Sequence, residues 1–209
     1  MDKNVHLSGG AVALLPYRMS HVTDLHNAAM ESMAELMPWM SWMHPGYSME
    51  ESRAWVTERP EEWAKGISYD FAITDLNDGS YLGGCGLNKF DPGRKVANLG
   101  YWVRTTMTKR GIATAAASLL AGWGISELKL QRIEIVVASP NIASQMVADK
   151  TGALREGLLR NRMIVRDLMY DEVMFSIIPG DINRISHTDE HSPINGNKDR
   201  EKANGGERC

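Results

Sequence analysis

The chain has 209 residues, 43% of them hydrophobic and 23% charged, the balance of a soluble globular protein with material for one sizeable core. Its formal net charge of -3 offers no global attraction to nucleic acid, so no such partner is expected and any basic cluster must act locally. Cys85 and Cys209 show neither metal-ligand spacing nor grounds for a disulfide, and no segment nears the roughly 20 apolar residues of a membrane helix. The opening MDKNVHLSGG lacks an apolar run of signal-peptide length, so a reducing, cytoplasmic setting is expected.

In chain order, Ala11 to Tyr17 reads as a first strand. Ser20 is placed to cap a helix with Val22, Leu25, Ala29, Met33 and Leu36 on one face, ending before Pro38. The stretch MPWMSWMHPGY then crowds Trp39, Met40, Trp42 and Met43 between two prolines. Two uses are open for these adaptable apolar groups: packing under the first helix, or walling a substrate pocket with Trp39, Trp42 and Met43. Ser48 followed by Glu51 matches a capping box, which predicts a helix from about Met49, interrupted or restarted at Pro60 and ending near Gly66. Trp55 and Trp63 are its expected buried anchors.

From Ser68 the period becomes strand-like. SYDFAITD, the turn Asn77-Asp78-Gly79 and YLGGCGLNKF read as a hairpin, with Gly83, Gly84 and Gly86 marking a bulge or a close approach by another group. Asp91-Pro92-Gly93 turns the chain into VANLGYWVR. Ala115, Ala116, Leu119, Leu120 and Trp123 then share one face of a helix that starts near Gly111. Its first amides lack partners within the helix, and the dipole favours an anion there. Lys109 and Arg110 reinforce that sign, while Gly111 and Ala113 let a phosphate approach the main chain. An ordinary basic loop capping a core helix is the alternative.

Beyond this helix, QRIEIVVA reads as a buried strand, NIASQMVADKTG as a short helix closed by Gly152, and Ala153 to Ile178 as two more strands. From about Asp181 the chain is polar, and a domain over residues 1–180 with a flexible tail over 181–209 is expected.

The segments YWVRTTMTKRGIATAAA, RIEIVVASPNIASQMVADKTGALREGLLRN and YDEVMFSII resemble the GNAT superfamily of acetyl-CoA-dependent N-acetyltransferases, in particular its RimJ/RimL-like branch acting on ribosomal-protein N-termini. The likeness covers roughly residues 10–178. It implies an α/β (α+β) fold with a central mixed, mostly antiparallel sheet of about six to seven strands, flanked by helices and splayed into a V between two central strands. Gly111 and Ala113 match the last two fixed positions of the family's helix-opening signature, whereas Thr108 stands where Gln or Arg is usual. By resemblance, Lys109, Arg110, Gly111, Ile112, Ala113 and Thr114 hold the coenzyme A pyrophosphate. The main chain of Tyr101, Trp102 and Val103 then flanks the pantetheine arm, and Asn141 and Ser144 approach its sulfur end.

Ala148 occupies the place of the tyrosine that protonates the departing thiolate in many GNAT enzymes, and Ser144 occupies the place of the serine given that role in RimL-like members. The family's glutamate base falls, by ungapped count, at Met163, which leaves Glu134 as the candidate base, with His21, His26 and His44 unselected by spacing. The resemblance implies acetyl transfer from acetyl-CoA to a primary amine, either a protein or peptide N-terminus or a small aminoacyl-type molecule. It implies no metal and no membrane partner, and leaves open whether the chain pairs as a homodimer. The missing glutamate keeps a non-catalytic acyl-CoA-binding module as the rival.

Overall fold

The structure, a computed structural model, describes residues 5–185. Strand β1 (Leu7–Gly9) turns into β2 (Val12–Pro16), followed by a 3-10 turn at Met19–His21 and helices α1 (Val22–Glu31), α2 (Met33–Leu36) and α3 (Met49–Lys65). Strands β3 (Tyr69–Asp75), β4 (Tyr81–Asp91) and β5 (Val96–Val103) form an antiparallel meander. Then come α4 (Ile112–Ser126), β6 (Arg132–Ala138), α5 (Ile142–Lys150), β7 (Leu154–Val165), β8 (Leu168–Ile177) and α6 (Pro179–Ile185). The strands make one sheet in the order β1-β2-β3-β4-β5-β6-β8-β7, eight rather than the expected six to seven, the addition being the short β1. Every pairing is antiparallel except β5 with β6, where α4 carries the chain back across the sheet.

Alternation along the strands assigns the two faces. Tyr69, Phe71 and Ile73 join the large core with Ala116, Leu120 and Trp123 of α4, while Ala72 joins Val22, Leu25 and Val56 of α1 and α3 on the other face. The pairing of β3 with β4 slips between Ile73 and Thr74, so Leu82 and Cys85 both enter the large core. This slip is the bulge that the glycines of β4 foreshadow.

Four expectations about the helices are corrected. The first stripe, expected to run unbroken through Leu36, breaks at Ser32, whose Oγ accepts the Thr105 amide at 2.9 Å. Ser20 lies inside the 3-10 turn instead of capping a helix, and His21 Nδ1 accepts the Arg18 amide at 3.2 Å. α3 has its capping box: Glu51 donates its amide to Ser48 Oγ at 3.2 Å, Ser48 donates its own to Glu51 Oε2 at 2.9 Å, and Gly66 ends the helix at φ 68°. However, α3 runs straight through Pro60. A proline there forfeits a helical hydrogen bond and costs about 3 kcal/mol. The preceding Arg59 is held by the Trp55 carbonyl (3.0 Å), Glu62 (2.8 Å) and Asp70 (2.9 Å), so tertiary anchoring keeps the turn wound. Trp55 and Trp63 are only half-buried, and the fully buried positions of α3 are Ser52 and Val56.

At the chain's far end, α6 continues through Ile185, so order extends into the stretch expected to be tail, and Ile182 packs against the large core. The remainder of that expected tail, residues 186–209, lies outside the described residues, as does Cys209.

Arg132 ties β6 to β7 through paired 2.7 Å bonds to Glu156, which also accepts a 2.6 Å bond from Ser176 of β8. The Arg132 guanidinium, then the Ser176 hydroxyl, lower the Glu156 carboxyl from 4.5 to about 2. A carboxyl with a lowered folded pKa contributes stability that is complete above its unfolded value of 4.5 and is lost as pH falls toward about 2. Glu156→Gln is therefore expected to lower Tm at pH 6 and to match the wild type near pH 2, as read by thermal melts across that range.

Candidate active site

Strands β5 and β6 pair only at Val96↔Arg132, Ala97↔Ile133 and Asn98↔Glu134. Beyond Asn98 they diverge, and the β6-facing edge of β5 from Leu99 to Val103 has no strand partner among the described residues. A cleft of about 860 Å³ opens there, reaching from Ala138, Asn141 and Ser144 past Trp102 to Asp70 and Arg59. Trp39 and Trp42 wall it, Trp42 lying 5.8 Å from the Trp102 ring. Met43, expected with them, is instead completely buried with Ala29 and Leu36, because the turn after α2 folds back under α1.

On the α4 face of the splay, the Tyr101 hydroxyl donates to the Ser144 carbonyl at 2.9 Å and stands 3.2 Å from Ser144 Oγ. Asn141 Oδ1 accepts the Ser144 amide at 3.1 Å and so caps α5. The strand and the helix start are thereby fixed around two adjacent hydroxyls at the cleft wall. Burial pushes the Tyr101 phenol up to about 12, against the Ser144 hydrogen bond, so it keeps its proton through the neutral range. The sequence reading used only the main chain of Tyr101. Strand alternation places its ring opposite Cys85 on the α4 face, the one signal for this side-chain role.

At the start of α4, Gly111 is the N-cap in a left-handed conformation, φ 78°, with no side-chain cap. A Cβ there would meet nothing within 4 Å, so the approach is open. The Lys109 and Arg110 side chains are exposed and form no ion pair among the described residues. None of Lys109 to Thr114 lines the cleft: Lys109, Arg110 and Gly111 are exposed, whereas Ile112 is buried in the large core. This uncapped, positively biased turn suits a diphosphate.

The loop that precedes this turn, residues 104–106, is anchored to α1 and α2. Glu31 at the end of α1 accepts bonds from Arg104 Nε (3.2 Å), Arg104 Nη2, Thr106 N (3.2 Å) and Thr106 Oγ1 (2.7 Å). Thr105 Oγ1 donates to Glu35 at 3.1 Å. The Arg104 and Thr106 hydrogen bonds lower the Glu31 carboxyl to about 2.

Glu134 is elsewhere. Its carboxylate binds Arg132 Nε at 2.8 Å and lines a smaller recess of about 200 Å³ that adjoins the cleft, sharing Lys89, Asn98 and Val136 with it. Met163, the place expected for the family's glutamate, does line the cleft and brings no ionisable group to it. The three histidines also divide: His44 lines the cleft and pairs with Glu51 at 2.8 Å, whereas His21 and His26 do not line it. The sequence reading missed Asp70 and Arg59; the signal was a lone carboxylate on the polar phase of SYDFAITD.

Residues 12–154 match the Acetyltransferase (GNAT) domain family. The YdaF protein of Bacillus subtilis (strain 168) is 34% identical over 103 residues, which is 49% of this chain and 56% of that relative. The ribosomal-protein-serine acetyltransferase of Escherichia coli (strain K12) is 25% identical over 154 residues, 74% of this chain and 84% of that protein. Among solved structures, RimL, a ribosomal L7/L12 alpha-N-protein acetyltransferase in complex with coenzyme A, superimposes with a TM-score of 0.77 at 23% identity over 83% of this chain and 98% of its own. The splayed sheet, the uncapped turn at Gly111 and the matched span together place this chain in the GNAT family of acetyltransferases.

Proposed function

We propose that this protein binds acetyl-CoA in the β5–β6 splay and transfers the acetyl group directly to a primary amine, that of a protein or peptide N-terminus. The observation that carries this reading is the splay itself. An open sheet edge at residues 99–103 carries the Tyr101–Ser144 hydroxyl pair inside a large cleft, and the chain leads from it through residues 104–110 to the anion-suited turn at Gly111. The relatives named as acting on ribosomal proteins support the choice of acceptor.

Each part of the chain has a distinct task. The amides opening α4, with Lys109 and Arg110, grip the diphosphate. Residues 101–103 offer main-chain donors along the open edge, where an N–H stabilises the charge that develops on the carbonyl oxygen. Acetyl-CoA, when bound, supplies an activated acyl thioester. Ser144 Oγ donates a proton to the departing sulfur, and Tyr101 holds Ser144 in place from 3.2 Å. Trp39 and Trp42 wall the acceptor side. Cys85 is buried and free, and burial pushes its thiol well above the usual range, so no covalent enzyme intermediate is assigned to it. A cytoplasmic setting is consistent with that free thiol, and among the described residues no helix is long and apolar enough to cross a membrane.

The direct test is release of CoA thiol with a synthetic peptide bearing a free N-terminal serine. Turnover that disappears when the peptide is N-acetylated beforehand is expected, and binding of acetyl-CoA without turnover would overturn the reading. Gly111→Leu forces a side chain into a left-handed position at the phosphate's approach. It is expected to weaken acetyl-CoA binding by about tenfold or more, measured by calorimetry. Ser144→Ala should lower kcat by roughly 100-fold, the lower end of what a positioned proton donor contributes, with little change in acetyl-CoA affinity.

A further inference from the structure

Directly opposed residues on neighbouring strands point to the same face. Asp70, Gly86 and Gly100 are so opposed on β3, β4 and β5, and the next row is Ala72, Gly84 and Trp102. The first row leaves the sheet bare between a carboxylate and the strand that enters the splay. A Cβ on Gly86 would stand 2.1 Å from Asp70 Oδ1, whereas one on Gly100 would meet nothing within 4 Å. The carboxylate therefore lies across Gly86, about 5 Å from Gly100 by the spacing of adjacent strands, with open space between. In the next row the Trp102 indole covers Gly84, where a Cβ would meet Nε1 at 2.9 Å, and this closes one side of the strip.

The surroundings of Asp70 select a cation. Its Oδ2 accepts bonds from Arg59 (2.9 Å) and Ser68 Oγ (2.7 Å), while Oδ1 has no hydrogen-bond partner among the described residues. Arg59, with a side chain only 10% exposed, also binds Glu62 at 2.8 Å and the exposed Glu58 at 3.4 Å, so one guanidinium serves three carboxylates, two of them, Asp70 and Glu62, only 14% and 29% exposed. One negative charge stays unbalanced in a poorly solvated part of the cleft. Burial outweighs the Ser68 and Arg59 hydrogen bonds and raises the Asp70 carboxyl above its usual range, the direction a proton acceptor needs. Glu134 is committed to Arg132 at 2.8 Å and Met163 has no ionisable group, so neither competes for that task.

Building on the acetyl-transfer reading above, we infer that Asp70 is the catalytic residue that receives the acceptor, its Oδ1 binding the substrate ammonium over the Gly86–Gly100 strip and taking one of its protons. The N–H bond breaks toward Oδ1. The freed lone pair forms the N–C bond to the acetyl carbonyl carbon as the C=O π pair moves onto oxygen; when that pair re-forms the carbonyl the C–S bond breaks, the sulfur takes the proton that Ser144 donates, and the second proton lost from the nitrogen restores Ser144 by way of solvent. Asp70 then returns its proton to solvent through the open cleft. The charged and titratable groups packed around it are Arg59 and Glu62 of α3, Cys85 of β4 and Tyr17 after β2.

The test uses the full chain with saturating acetyl-CoA and n-propylamine, a minimal acceptor that needs no recognition beyond its ammonium, alongside the serine peptide. Asp70→Asn is expected to lower kcat/KM for propylamine by about 100-fold with acetyl-CoA affinity retained. An alkylammonium titrates near pH 10, so free amine in solution rises about tenfold per pH unit and the deficit should shrink accordingly between pH 7 and 9. Gly86→Ala, which displaces the carboxylate without removing it, should reproduce the loss. Wild-type rates in Asp70→Asn, or a deficit that stays constant with pH while acetyl-CoA still binds, would overturn the assignment and leave the acetyltransferase reading intact. Turnover of propylamine but not of the peptide would refute the N-terminal acceptor and leave Asp70 in place. No turnover of either by the wild type would overturn both.

Discussion

The structure depends on the point at which β5 lets go of β6. Three residue pairs hold the two strands parallel, and beyond Asn98 the strand ladder stops. An unpaired strand edge inside a protein is costly unless something replaces the missing hydrogen bonds. Here it becomes the surface on which an extended ligand arm is able to lie. Everything else keeps that edge open: β4 holds β5 from one side along its length, while β8 pairs with β6 from Ile133 to Ala138 on the other. Each strand is fully supported by its outer neighbour, so the gap between them does not collapse.

The two faces of the sheet divide the chemistry. Tyr101 and Ser144 sit on the face covered by α4 and α5, with the phosphate-suited turn. Asp70, Gly86 and Gly100 lie on the face covered by α1 and α3, with Trp39 and Trp42 at its rim. In the proposed reaction, donor and acceptor approach the splay from opposite sides. The acyl carbon is the only point the two need to share, which is what direct transfer without a covalent enzyme intermediate requires.

Much of this was legible in the chain. The hairpin at Asn77-Asp78-Gly79, the capping box at Ser48 and Glu51, and the helix opening at Gly111 are local signals, and local geometry realised them. What failed was decided by tertiary contacts. Pro60 reads as a helix breaker until Arg59 is seen clamped between Trp55, Glu62 and Asp70. The stripe from Val22 to Leu36 reads as one helix until Ser32 turns aside to bind Thr105. Met43 and Glu134 looked available because sequence gives no depth. The first is sealed in a small core under α1, and the second is committed to Arg132. Asp70 was passed over for the complementary reason: its meaning comes from two glycines on other strands that happen to share its row.

The hydrogen bonds between the end of α1 and the loop before α4 join segments 73 residues apart in sequence. Glu31, Ser32 and Glu35, around the junction of α1 and α2, brace the loop that leads to the turn at Gly111. A change at one end of these bonds is therefore transmitted to the other. A chimera that replaces the α1–α2 segment without matching changes at residues 104–106 removes these hydrogen bonds and loosens the loop that leads into α4.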